Sequence, residues 1–206
     1  MRLSAQNNQF IFSLPYYLME VDMESQFNKL MVKNFIPYDS VMDYINAQIK
    51  EIVVPSITFN PVEQTVYHGK KLAHKESGNI YDKFANEVQV TFRAVDSYLN
   101  YFMLLQMMTE FYLNNAKPTI DFLYIEILDM DGDKLYTVMF KDCFFKGLSE
   151  ISLGYNKFDI SEKTFTVSIR YNWIDIRWEL DDEDTKTSKS IFDIPINFKP
   201  DLLDRN

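Results

Sequence analysis

The chain has 206 residues, of which 47% are hydrophobic and 16% aromatic, enough to bury one well-cored domain. Twenty-one basic against 30 acidic residues give a formal net charge of −9, which excludes tight nonspecific binding to a phosphate backbone. Five glycines beside 13 tyrosines and 17 phenylalanines disfavour phosphate-cradling loops, and one cysteine excludes an intramolecular disulfide.

Residues Met1 to Gln9 carry one arginine and polar amides with no apolar run behind them, so no secretory signal is expected and assembly in a cytoplasm follows. A strand is expected at Gln9 to Leu14, with Pro15 as its break. From Asp39 to Lys50, the apolar residues Val41, Met42, Tyr44, Ile45 and Ile49 follow helical spacing behind Asp39 or Ser40 as cap. Ile52 to Phe59 reads as a strand interrupted by Pro55. His68 to Asn86 shows no strong period and carries Lys70, Lys71, Lys75 and Lys83, which marks it as an irregular excursion that could dock on an acidic surface.

Glu87 to Ala94 alternates strictly: Val88, Val90, Phe92 and Ala94 form an apolar face, while Glu87, Gln89, Thr91 and Arg93 form a polar one. A helix follows from Tyr98 to Leu113, capped by Asp96 or Ser97 and ended by Asn114, Asn115 and Pro118. Its residues Leu99, Phe102, Met103, Leu104, Leu105, Met107, Met108, Phe111 and Tyr112 spread wider than one sheet can cover, so a second contact is expected from a neighbouring copy or a covering loop. The run also contains Asn100, Gln106, Thr109 and Glu110 and is too short and too polar for a membrane span.

Thr119 to Leu128 and Lys134 to Phe145 are rich in β-branched and aromatic residues and flank Asp129-Met130-Asp131-Gly132-Asp133, the signature of a hairpin. A further strand is expected at Ser149 to Tyr155. Thr164 to Tyr171 repeats the strict alternation, with Phe165, Val167, Ile169 and Tyr171 opposite Thr164, Thr166, Ser168 and Arg170. From Leu180 the acidic run Asp181-Asp182-Glu183-Asp184 and a Thr/Ser/Lys stretch read as a solvated linker, and Ile191 to Phe198 recovers an apolar pattern suited to clipping onto this domain or another copy. The fold class is mainly β with an α component, divided into one β domain over 1–179 and an acidic linker and extension over 180–206.

Catalytic, cofactor and metal chemistry find little to rest on. Asp129, Asp131 and Asp133 alternate as in a calcium loop, but glycine falls at the fourth place instead of the sixth and Phe140 at the twelfth, which leaves a plain turn. His68 and His74 suit no zinc spacing. Glu126 and Asp142 could meet across the hairpin, though a solvated strand face explains both. Cys143 sits in an apolar run and reads as a buried, inert thiol. No nucleophile elbow, dinucleotide fingerprint or Walker sequence is present, so no catalytic, cofactor-binding or metal-ligating residue is assigned and no enzyme activity is expected.

An ordered set of segments resembles a known family. It comprises Ile52-Val53-Val54-Pro55; Lys70-Lys71-Leu72-Ala73 with Tyr81 and Phe84 leading into Val88-Gln89-Val90-Thr91-Phe92; Gly147-Leu148-Ser149-Glu150-Ile151-Ser152-Leu153; and Phe165-Thr166-Val167-Ser168-Ile169-Arg170-Tyr171. Over Gln48 to Trp178 this set resembles the tail tube proteins of contractile-tailed phages, related to the tube proteins of type VI secretion and injection systems. The resemblance implies two packed antiparallel sheets, a sandwich or partial barrel, with one flanking helix. It further implies six copies closing into rings that stack into a DNA-conducting tube, with sheath and baseplate partners, in a virion. The stretch from Asp22 to Ala47 and the tail after Glu179 are additions to that pattern, which leaves a tube initiator, baseplate hub or terminator ring as alternatives.

On this reading the polar faces Glu87, Gln89, Thr91, Arg93 and Thr164, Thr166, Ser168, Arg170 border the lumen, and Lys70, Lys71, Lys75 and Lys83 contact the adjacent ring. DNA passes without specific binding because the acidic subunit offers little counterion release. A monomeric β-sandwich binding module is the competing reading, weakened because the aromatics fall mainly on core faces.

Overall fold

The computed structural model describes residues 10–65, 71–74, 83–115, 118–129, 131–152, 162–182 and 185–190. In chain order the elements are β1 (Phe10–Phe12), α1 (Val21–Lys33), α2 (Val41–Asn46), β2 (Ile49–Val53), β3 (Val62–Thr65), β4 (Lys71–His74), β5 (Glu87–Arg93), α3 (Leu99–Asn114), β6 (Ile120–Leu128), β7 (Lys134–Leu148), β8 (Thr164–Arg170), β9 (Trp173–Asp182) and β10 (Thr185–Ser190). Short 3-10 turns lie at Tyr16–Leu18 and Asp96–Tyr98. The protein is mainly β, with two antiparallel sheets. The chain divides into two compact units, Ser13–Leu123 with Phe140–Trp173, and Met1–Phe12 with Tyr124–Met139 and Ile174–Asn206.

The first unit is built on a sheet in the order β2-β5-β8-β7, antiparallel throughout. Alternation puts Val88, Val90 and Phe92 in register with Ile169, Val167 and Phe165, and all six side chains are buried. Phe92 and Phe165 stack with ring centroids 5.4 Å apart. On that apolar face α3 lays Tyr101 edge-on to Phe165 and Phe111 edge-on to Phe145.

Three helices occur among the described residues: α3 is the flanking helix expected, α2 falls within the second helical stretch expected over Asp39 to Lys50, and α1 is additional. α1 buries only Met23, Phe27 and Met31, one residue per turn. α2 opens at Ser40, whose Oγ accepts from the Met42 N–H at 3.2 Å, and it stops at Asn46, short of the expected Lys50. The reason is tertiary: Ile49 is taken up by β2 opposite Phe92, and the Arg93 N–H donates to the Gln48 carbonyl. At α3 the expected side-chain cap is absent. Asp96, Ser97 and Tyr98 all hold left-handed φ angles, Tyr98 is the N-cap, and the Asp96 carboxylate instead accepts from the Tyr44 hydroxyl at 2.7 Å.

The strand expected from Ile52 to Phe59 begins earlier, as β2 over Ile49–Val53, and Ser56 to Thr58 continue along 83–85 through backbone bonds and the Ile57–Phe84 bridge. Within the stretch expected to be irregular, β4 pairs with β3 in a separate two-stranded ribbon in which all eight side chains are exposed. Of the strand expected from Ser149 to Tyr155, the described residues Ser149 to Ser152 are not in a strand. β7 runs on to Leu148, Ser149 turns away while bonding Thr166 through both its N–H and its hydroxyl, and 153–155 lie outside the described residues.

In the second unit, β1 pairs with β6, with Phe10 opposite Ile127. The hairpin turn is organised by Asp129: its Oδ1 accepts from the N–H groups of Asp131 and Asp133 at 2.8 and 2.9 Å, and Gly132 takes φ 90°. Glu126 pairs with Lys134 across this hairpin, so the carboxylate pairing considered with Asp142 is replaced by an ordinary ion pair. The segment after Leu180, which reads as a linker, continues β9 and returns as β10, with Asp182 opposite Thr185 and Arg177 opposite Ser190. β-branched threonines at 185 and 187 suit a strand even where no apolar face announces it. The apolar stretch from Ile191 to Phe198 lies outside the described residues.

Candidate assembly surfaces

The eight polar residues singled out by alternation share one face of the β5–β8 pair. Glu87 stands opposite Arg170, Gln89 opposite Ser168, Thr91 opposite Thr166 and Arg93 opposite Thr164, and every one is exposed or half-buried. The face is of mixed sign and internally paired. Lys146 reaches Glu87, and Glu162 takes both Arg93 at 3.0 Å and Lys50. These hydrogen-bonded cations hold the carboxyls of Glu87 and Glu162 below the usual carboxylate range. The Thr91 and Thr166 hydroxyls lie 3.4 Å apart at its centre. Such a strip is hydrated and offers no cluster of uncompensated cations for a phosphate chain.

The opposite side of the sheet carries α3, and α3 is covered on one side only. Asn100, Met103, Leu104, Met107 and Phe111 are buried. Phe102, Leu105, Tyr112 and Leu113 are 52%, 41%, 70% and 71% exposed, and among the described residues no segment covers them. Between this outer side and the end of β7 runs a groove of about 630 Å³, walled by Leu105, Met108 and Tyr112 on one bank and Phe144, Phe145 and Leu148 on the other. Its β7 wall is invisible to sequence periodicity, because it forms only when residues 40 positions away come alongside the helix.

The lysines expected to form a docking loop separate on inspection. Lys71 lies in β4 and pairs with Glu63 across the ribbon at 3.0 Å, while the Lys83 carbonyl accepts from Thr58. Lys70 and Lys75 lie outside the described residues.

Buried polar chemistry is structural in character. Burial, and after it the charge of Asp142, pushes the Cys143 thiol up to about 12, and burial raises Tyr171 to about 12 while its hydroxyl donates to the Ala85 carbonyl. Tyr44 is raised still further by burial and by its bond to Asp96. Among the described residues no group of three or more His, Cys, Asp or Glu side chains could hold a metal ion, and no helix is long and apolar enough to cross a membrane.

No family model and no curated protein matches the chain. Several solved structures are similar over part of it. The tube-terminating cap of the anti-feeding prophage is 11% identical, with 63% of this chain and 80% of that one covered and a TM-score of 0.42. A chain of the sheath-tube complex of the extracellular contractile injection system PVC in its extended state is 9% identical, with 63% and 80% covered and a TM-score of 0.41. An Hcp protein is 12% identical, with 69% and 75% covered and a TM-score of 0.35.

Proposed function

We propose that the chain is a structural subunit of a phage tail tube, which closes with copies of itself into rings that stack around a DNA-conducting channel. The observation that carries this reading is the uncovered outer side of α3, whose four large apolar side chains lie open to solvent on a sheet otherwise well packed. The ordered sequence resemblance and the polar β5–β8 face support it. A ring would bury the first kind of surface between copies and present the second to the channel. The mixed, internally paired charges on that face suit a wall past which DNA moves without sticking. Assembly in a host cytoplasm and sheath and baseplate partners belong to the same reading.

The test is electron microscopy of the purified protein over a concentration series. Hollow tubes of stacked rings are expected, with Gln89 and Ser168 on the channel side of a reconstructed map. Rings of fixed number that do not stack would make the chain an initiator, hub or terminator. A monodisperse monomer at high concentration would overturn the proposal in favour of a binding module. Removing 70–83 is expected to disturb stacking while leaving single rings.

A further inference from the structure

α1 ends in a Schellman turn. The Ile36 N–H donates to the Met31 carbonyl at 3.0 Å and the Phe35 N–H to the Val32 carbonyl at 3.2 Å. The residue before Ile36 takes the left-handed conformation, φ 57°, a position that favours glycine because a Cβ crowds the following carbonyl. Here it is Phe35, and its side chain is 93% exposed, so its own fold gains no burial in return. Val32, 75% exposed, lies one turn earlier and extends the apolar tip. A strained backbone that holds a bulky aromatic in water has the form of an anchor awaiting a pocket.

We propose that this tip, with Phe35 at its centre, seats in the α3–β7 groove of a second copy of the chain. This rests on the reading of the protein as a self-assembling subunit and names the element that fills the open groove. Phe35 cannot occupy the groove of its own chain, because a seated ring would be covered and this one is not. The tip is convex and the groove concave, with about 630 Å³ to receive an aromatic ring and an aliphatic neighbour. The exposed side chains of Phe35 and Val32 offer roughly 300 Å² of apolar surface, the scale of an anchor at the centre of an interface of about 800 Å² per partner. Tip and groove are different surfaces, so the contact is head to tail. Each copy keeps one free tip or one free groove until a ring closes.

The experiment uses the full chain with Phe35→Gly, Leu105→Asp, Phe35→Cys and Leu105→Cys. Both sites are exposed, and retained circular dichroism confirms folding. Phe35→Gly is expected to raise the thermal midpoint by relieving the left-handed strain and yet weaken association at least tenfold in sedimentation velocity; Leu105→Asp is expected to weaken it likewise. Mixing the two cysteine variants under mild oxidation is expected to give a one-to-one cross-linked pair, with none from either alone, since Cys143 is buried. Phe35→Gly assembling with unchanged concentration dependence, or Phe35→Cys cross-linking to itself, overturns the inference while the tube reading stands. A wild type that never associates overturns both.

Discussion

Asn100 is fully buried at the junction of β5 and α3, where its Oδ1 accepts from the Val95 N–H at 3.2 Å and its Nδ2 donates to the Arg93 carbonyl at 2.6 Å. It ties the start of the helix back to the end of β5 and the residue beyond it, and so fixes how the chain enters α3 without capping the helix. Asn100→Ala strands a donor and an acceptor away from water and is expected to cost about 1–3 kcal/mol, read as a lower urea midpoint with an unchanged slope. Cys143 gives a second test at this scale. With its pKa raised from an ordinary 9.0 to about 12, the folded thiol keeps a proton that the unfolded thiol loses. Its contribution is therefore fully present below about pH 9 and is lost as pH rises toward 12. Tyr171 acts with the same sign between 10.0 and about 12. Cys143→Ala should flatten part of the alkaline loss of stability, and a thiol reagent at pH 8 should label the wild type only on unfolding.

Among the elements, those with an uninterrupted period were legible. Strands expected over Glu87 to Ala94 and Thr164 to Tyr171 differ from β5 and β8 by one residue at the C-terminal end, and the helix expected over Tyr98 to Leu113 is offset from α3 by one residue. The polar face of β5–β8 could be read for the same reason, since period two alone decides which residues share it. α1 escaped because its buried stripe is a single residue per turn, while the exposed Val21, Leu30 and Val32 fall out of phase and blur it. β4 escaped because a strand with no buried side chain has no core face to alternate with, and β10 because Thr185–Ser190 contains no apolar residue. The groove and the left-handed Phe35 depend on non-local placement and on a dihedral angle, neither of which is written in residue order. The β6–β7 turn was legible from Asp-Gly, and its Asp129 is testable. Removing the acceptor of two N–H groups by Asp129→Ala is expected to cost about 1 kcal/mol. Faster amide exchange at the hairpin tip, with β5 and β8 unaffected, would check it.

For the whole molecule, charge sets the sign of the salt response. Copies that each carry −9 repel, so if apolar contacts join them, added salt should screen the repulsion and lower the concentration needed to assemble. If lysine-to-acid attraction supplied most of the affinity, salt would raise it instead, and light scattering across an ionic-strength series separates the two. The β3–β4 ribbon brings a different consequence. It buries none of its eight side chains and is tied by backbone bonds and one surface ion pair of small value. Such a ribbon opens while the four-stranded sheet beside it stays shut, so a protease should nick the chain there first and leave the remainder folded. Short insertions between β3 and β4 should be tolerated on the same grounds.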